Sequence, residues 1–220
     1  MDSCWILGAG RFGRRALSVL SRKYPEAAIT VVDRDDDAVG EVPAGGRVSV
    51  VRADAMAYLV EHLKSGQFAP EWIVPAVPVH VAYEWVIRRL AAEGLRIEPL
   101  AVPETVVQRL PNVFRGEAGA IYASNADFLC PDNCPEPEAI CTHTGKPRPC
   151  NLYEKLAEVA QPPFRAIVVR SLQLAPGVGG YRPQTLFDTL AAVRKTTGPV
   201  LLSTACRCHG VLHGFSSQAA

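Results

Sequence analysis

Short apolar runs alternate with amphipathic stretches along the first ninety residues. Cys4 to Leu7 is apolar throughout and ends at Gly8, the pattern of a strand buried on both faces. From Arg11 to Lys23, the residues Phe12, Ala16, Leu17, Val19 and Leu20 recur at helical spacing, so this stretch predicts a helix with one apolar stripe. Ala28 to Val32 and Val48 to Val51 predict two more buried strands. Met56 to Lys64 predicts a helix, Trp72 to Val74 a fourth strand, Val79 to Glu93 a helix and Leu95 to Val102 a fifth strand. Strands and helices that alternate at this pace imply crossover connections and a parallel sheet covered on both faces.

The pattern breaks in the middle of the chain and then resumes. Pro111 to Gly116 reads as a loop and Ala118 to Ala123 as a strand. Between Cys130 and Cys150 lie five prolines, Pro131, Pro135, Pro137, Pro147 and Pro149. Proline removes a donor and fixes φ, so this stretch can form neither helix nor inner strand and must be irregular. Beyond it, Leu152 to Ala160 predicts a helix, with Asn151 as its N-cap. Arg165 to Leu172 predicts a strand, Ala175 to Tyr181 a glycine stretch that is either a mobile loop or a turn, Gln184 to Lys195 a helix, and Val200 to Ala205 a last strand. The expected organisation is therefore α/β throughout: residues 1–123 as a dinucleotide-binding region, 124–150 as a Cys/Pro-rich loop, and 151–220 as an extension of the same sheet.

Gly8-Ala9-Gly10-Arg11-Phe12-Gly13 gives this pattern chemical content. The three glycines stand between a predicted strand and a predicted helix. Gly8 suits the tight turn, Gly10 lets backbone approach a pyrophosphate, and Gly13 lets helix and strand pack closely. The helix start offers free N–H groups to that pyrophosphate. Asp33 ends the second predicted strand, 20 residues after Gly13, where a carboxylate would bind the ribose hydroxyls of NAD(H) and repel the extra phosphate of NADP(H). The adjacent Arg34 works against that discrimination. The fold class so indicated is a doubly wound, mostly parallel, Rossmann-like sheet with an irregular loop insertion.

GAGRFGRRAL, VVDRDDDAV and VRADA together resemble the nucleotide-binding domain of bacterial potassium-uptake regulators, the TrkA-N or RCK type, over about residues 4 to 65. The resemblance implies a carboxylate near the adenine, a place that Asp54 matches, and a nucleotide-sensing role. Beyond residue 65 the chain departs from that pattern. In Trp72-Ile73-Val74-Pro75-Ala76-Val77-Pro78-Val79-His80, two prolines end the strand and stiffen the turn. That turn would lie at the carboxyl edge of the sheet. Pro75 is therefore expected beside the dinucleotide. His80 is either a proton donor or acceptor near the nicotinamide or a histidine bonded locally at the helix start.

Cys130, Cys134, Cys141 and Cys150 fall within 21 residues, and Cys206 and Cys208 follow the last predicted strand. The spacing C-x3-C-x6-C-x8-C matches neither a zinc ribbon nor a ferredoxin run. Thiols this dense still point to a metal centre, either an iron–sulfur cluster or a zinc ion. The expected ligands are Cys130, Cys134, Cys141, Cys206 and Cys208, with Cys150, His143 and His209 as alternates; His213 is a further spare imidazole. If the last strand runs parallel to the others, Cys206 reaches the edge from which the loop hangs.

Composition narrows the function classes. The 220 residues carry 23 basic and 22 acidic side chains, which argues against nucleic acid as main partner. No apolar run approaches the roughly 20 residues of a membrane-spanning helix. The opening MDSCWILGAG lacks the features of a secretory signal. A cytoplasmic location is expected, where thiols stay reduced and free to bind metal. The expected function is an NAD(H)-linked oxidoreductase with a cysteine-held centre, acting on a small-molecule substrate or a redox partner protein. The alternative is a nucleotide sensor with a structural zinc loop. An exposed apolar helix face would support a homodimer.

Overall fold

The computed structural model describes residues 1–219. Four parallel strands lie in the order β3-β2-β1-β4: β1 Ser3–Leu7, β2 Ala28–Asp33, β3 Val48–Arg52 and β4 Trp72–Pro75. β1 is central. Cys4 and Ile6 face α1 (Arg11–Lys23), whereas Trp5 and Leu7 face α3 (Ala55–His62) and α4 (Val81–Ala92). Helices on both faces explain why these strands are apolar throughout rather than alternating. A short α2, Asp36–Gly40, follows β2. Each helix here begins where its sequence allows: the Asp35 and Asp54 carboxylates cap α2 and α3 by accepting backbone N–H bonds two and three residues on.

The expected fifth strand forms, but not in this sheet. β5, Leu95–Leu100, pairs antiparallel with β12, His209–Ala219. A second, six-stranded mixed sheet runs β6-β7-β12-β11-β8, with β5 also on β12. Its other strands are β6 Phe114–Arg115, β7 Ile121–Ser124, β8 Arg165–Arg170 and β11 Val200–Ala205. The C-terminal part is therefore not an extension of the first sheet. Residues 95–123, assigned by sequence to the dinucleotide region, belong with it instead. β11 is parallel to β8 and turns straight back into β12, for which the sequence pattern predicts no strand. Gly210 and Gly214 obscure the strand pattern of β12, yet each allows a close approach: a Cβ on Gly214 would stand 2.7 Å from the Leu100 carbonyl.

α4 and α7 (Pro183–Arg194) are packed between the two sheets, burying Trp85, Leu90, Leu186 and Leu190 against Leu7 on one side and Leu202 and Phe215 on the other. α5 (Glu104–Val107) and α6 (Leu152–Glu158) cover the outer face of the second sheet. The glycine stretch after β8 is not a mobile loop. It is the turn of a hairpin, β9 Leu172–Ala175 with β10 Val178–Gly180. Tyr181 then exchanges both backbone hydrogen bonds with Ile73 of β4. The hairpin thus borders the fourth parallel strand. Residues 130–150 contain only an isolated bridge between Ile140 and Pro147, as five prolines require.

Candidate functional site

The glycine turn is fixed by sterics. Gly8 has φ +108°, and a Cβ there would meet the Ala76 carbonyl at 2.7 Å. A Cβ on Gly13 would stand 1.9 Å from the Gly8 carbonyl oxygen, so only glycine lets α1 pack on β1. Gly10 differs: its φ is −64° and a Cβ would meet nothing within 4 Å. The fold does not need glycine at this position, which faces open space at the start of α1.

A cleft of about 450 Å³ opens beside Gly10 and is lined by Asp33, Arg34, Asp54, Met56, Val77 and Pro78 among others. Asp33 Oδ2 accepts the Ala9 N–H at 2.6 Å and Oδ1 the Asp35 N–H at 3.0 Å. Partial burial would push this carboxyl up, but the N–H groups of Ala9, Asp35 and Arg34 and the Arg34 charge outweigh it, and its pKa is lowered. These N–H bonds do not use all of the carboxylate's acceptor capacity. Arg34 is exposed and lies 3.7 Å from Asp54. Pro75 ends β4 beside Leu7 and does not line the cleft; Val77, Pro78 and Val79 do. Arg11 and Phe12 point the other way, toward the cysteine loop.

His80 is absent from this cleft. It is the N-cap residue of α4, 5% exposed, and its Nδ1 lies 3.0 Å from His213 Nδ1 with Nε2 2.9 Å from Thr204 Oγ1. One N–H serves the two facing Nδ1 atoms, so a second proton there would set two donors against each other. Burial and the neighbouring His213 hold His80 well below the usual histidine range. Burial lowers His213 to about 4. The pair joins α4 to the second sheet. A proton-transfer role at a nicotinamide has no access route through these contacts.

The cysteine loop sits on the other side of the glycine turn. Asp132 makes an ion pair with Arg11, the first residue of α1. The Cys134 carbonyl accepts the Gly177 N–H at 3.0 Å and the Gln173 side-chain N–H at 2.7 Å. A Cβ on Gly177, whose φ is +72°, would stand 1.6 Å from the Asp132 carbonyl. A cavity of about 620 Å³ is lined by Phe12 from the glycine turn and by Cys130, Cys134, Cys206, Cys208 and His209. Cys130, Cys134, Cys208 and His209 also line a smaller adjoining space with Cys141.

Three of these sulfurs share one local geometry. Cys134 Sγ accepts the N–H of Glu136 at 3.4 Å. Cys206 Sγ accepts those of Cys208 and His209 at 3.4 and 3.3 Å. Cys141 is held below the ordinary thiol range by the Thr144 N–H and hydroxyl and by the His143 N–H. A neutral thiol is a weak acceptor and a thiolate a good one, so backbone turned onto sulfur in this way suits thiolates. Arg148 Nε donates to Cys208 Sγ at 3.1 Å, and its other nitrogens close the loop on the Pro137 and Glu138 carbonyls. Other forces oppose ionisation. Burial raises Cys130, and Cys134, Cys208 and Cys141 nearby raise it further. Burial, with Glu136, pushes Cys206 up to about 12 against its N–H bonds. Several thiolates here would require a cation to neutralise them.

Among the described residues, no three His, Cys, Asp or Glu side chains stand close enough to hold one ion as they are. The sulfurs ring a common space without converging on a point. Tetrahedral zinc would need them drawn together, whereas an iron–sulfur cluster holds its thiolates further apart than one ion does. The donor set suits either in chemistry. Cys150 stands apart: its Sγ donates to Asn125 Oδ1 at 3.6 Å. His143 stacks on Phe128, so neither alternate joins the sulfur ring.

Sequence reading missed the residues that assemble the ring. The Asn125 side chain donates to the Cys150 and Arg207 carbonyls, and its backbone N–H donates to the Cys208 carbonyl. Glu136, with φ +47°, accepts the Arg207 N–H at 2.5 Å and lines the cysteine cavity. An Asn after a strand and a Glu between prolines carry no motif.

Residues 82–218 match the model of the family AF_1314_C, described as the C-terminal domain of an uncharacterized protein. The chain belongs to this family. The match begins at α4 and spans the second sheet and the cysteine loop. The chain is also 29% identical over 226 residues to an uncharacterized protein of Archaeoglobus fulgidus, covering 94% of this chain and 96% of that protein. No solved structure matches the chain. Among the described residues, no helix is long and apolar enough to cross a membrane.

Proposed function

We propose that this AF_1314_C protein is an NAD(H)-binding oxidoreductase in which a cysteine-held metal centre, an iron–sulfur cluster or a zinc ion, lies next to the dinucleotide. The order β3-β2-β1-β4 with helices on both faces is what half of a Rossmann fold requires. The observation that carries the reading is that Phe12 of the glycine turn lines the cysteine cavity and Arg11 pairs with Asp132, so that the cysteine loop is built against the glycine turn. Two sites that act separately would have no need of this arrangement.

In this reading the adenosine lies in the cleft of Asp33 and Met56, with the ribose hydroxyls on the free lone pairs of the Asp33 carboxylate. The pyrophosphate lies over Gly10 on the first N–H groups of α1. The nicotinamide end then passes Phe12 toward the cysteines. The exposed position of Arg34, drawn toward Asp54, leaves Asp33 to favour NAD(H) over NADP(H). A cluster, when bound, supplies one-electron chemistry to a two-electron donor. The chain's part is to supply thiolates, orient them through N–H bonds and Arg148, and cover the site with Phe128 and Leu129. A second reading, a nucleotide sensor, is favoured by the same Arg11–Asp132 pair, because pyrophosphate at the helix start competes for Arg11 and would release Asp132.

Anaerobic purification with iron, zinc and sulfide analysis, followed by NADH titration and dye reduction, separates these readings. Iron with sulfide and NADH-dependent reduction supports the oxidoreductase. Tight NADH binding without turnover, with altered protease cutting near Asp132, supports the sensor. Absence of NADH binding would remove both.

A further inference from the structure

Behind the hairpin β9–β10 lies another cavity, of about 560 Å³, that the proposed function does not use. Its wall includes Lys23 from the end of α1, Arg170 from the end of β8, Arg182 ahead of α7 and Arg207 from the turn between β11 and β12. Four cations from four separate elements thus face two carboxylates, Glu71 and Glu136.

Those carboxylates are already engaged. Glu71 accepts the Asp2 N–H at 2.7 Å and pairs with Arg182 at 3.2 Å. Glu136 is held by the Arg207 N–H. The Arg207 guanidinium lies 3.7 Å from the exposed Glu138. Arg170 is stacked over the Tyr153 ring at 4.1 Å and has no carboxylate partner among the described residues. Lys23 donates to the Leu174 carbonyl at 2.7 Å, which leaves two of its three protons. Positive charge therefore exceeds its internal compensation. Guanidinium forks held by stacking suit a carboxylate or phosphate.

We propose that this cavity binds a small organic anion through carboxylate or phosphate groups, with Arg170 and Arg207 as the principal contacts. Glu136, Ser171 and Gln173 form a common wall of this cavity and the cysteine cavity. An anion held here lies against the cysteine site, which makes it the charged end of the substrate. That last role rests on the oxidoreductase reading; the anion site does not.

The test is calorimetric titration of the full chain with succinate and, separately, with inorganic phosphate. Arg170→Gln should weaken binding at least about tenfold, the loss of a charge-assisted contact. Arg207→Gln should do the same. Arg47→Gln, outside the cavity, should leave it unchanged. Binding of either probe with this pattern supports the site, and whichever binds identifies the carboxylate or phosphate class. The proposal is overturned if neither probe binds more tightly than about 10 mM. It is equally overturned if Arg170→Gln and Arg207→Gln leave affinity unchanged or if Arg47→Gln reduces it as much. NADH titration of the same variants should be unaltered, because the adenosine cleft shares no lining residue with this cavity and neither arginine lines the cysteine cavity. Failure of NADH to bind would leave the anion result standing.

Discussion

The glycine turn and the cysteine loop lie side by side and are held in opposite ways. The turn is clamped by three strands: Gly8 N–H bonds the Val32 carbonyl at 2.7 Å and Ala76 N–H the Leu7 carbonyl at 2.8 Å. Its shape follows from backbone sterics and exists before any ligand arrives. The loop has few such bonds of its own, among them Cys141 N–H to Lys146 and Arg148 N–H to Ala139, both 2.8 Å. Its Leu129 is 95% exposed. Apolar burial contributes little to the loop, so a bound centre would contribute ordering free energy that the turn does not require. One site is formed by folding, and the other, in the proposed reading, would be completed by its ligand.

The sharpest way to break the comparison is at the glycines themselves. Gly13→Ala should prevent folding or cost at least about 3 kcal/mol, since the clash is with backbone that cannot yield. Gly10→Ala should leave the melting temperature unchanged while reducing NADH affinity. Equal thermal loss in both variants, measured by calorimetry, would contradict the separation of steric from ligand-contact glycine. Next in size is Asp33→Ala, which should weaken NADH binding by about 1–3 kcal/mol; unchanged affinity would remove Asp33 from the site.

Acid tests the junction between the two sheets. His80 and His213 are neutral in the folded chain because burial lowers both. Unfolding restores the ordinary value near 6.5, so below that pH the unfolded state takes up protons that the folded state refuses. Stability from this pair is present above about pH 6.5 and is lost as pH falls toward about 4, the value of His213. Urea unfolding should show a decline on the order of 1 kcal/mol per pH unit for each group, and His213→Gln should flatten it. The smallest effect is expected for Arg11→Gln. Arg11 is mostly exposed, so its ion pair is worth under about 1 kcal/mol. The melting temperature should barely change, while proteolysis near Asp132 should quicken.

Legibility in the sequence follows the same division. The helix Arg11–Lys23 and the strand Val200–Ala205 are fixed by local pattern, and the structure matches both to the residue. Gly8, Gly13 and Asp33 were legible because the backbone geometry they serve recurs with fixed spacing. Membership of a sheet was not legible, because pairing of β5 with β12 joins residues over 100 positions apart and leaves no periodic trace. The glycines of the hairpin β9–β10 mark its turn, but the pairing of the two strands beside them leaves no local pattern. Those glycines let the chain touch Asp132 at Gly177 and Ile73 at Gly180. His80 illustrates the reverse case: its place at a helix start was visible, but its partners, His213 and Thr204, come from strands far along the chain.

The most direct measurement is metal and sulfide content of anaerobically purified protein, native and Cys134→Ser, with protease mapping of residues 130–150. The account predicts a metal centre in the native chain, its loss in the variant, and selective opening of the loop while the glycine turn still binds NADH. Native protein that contains no metal and takes up none on anaerobic reconstitution, with a loop as resistant to protease as the sheets, would contradict it.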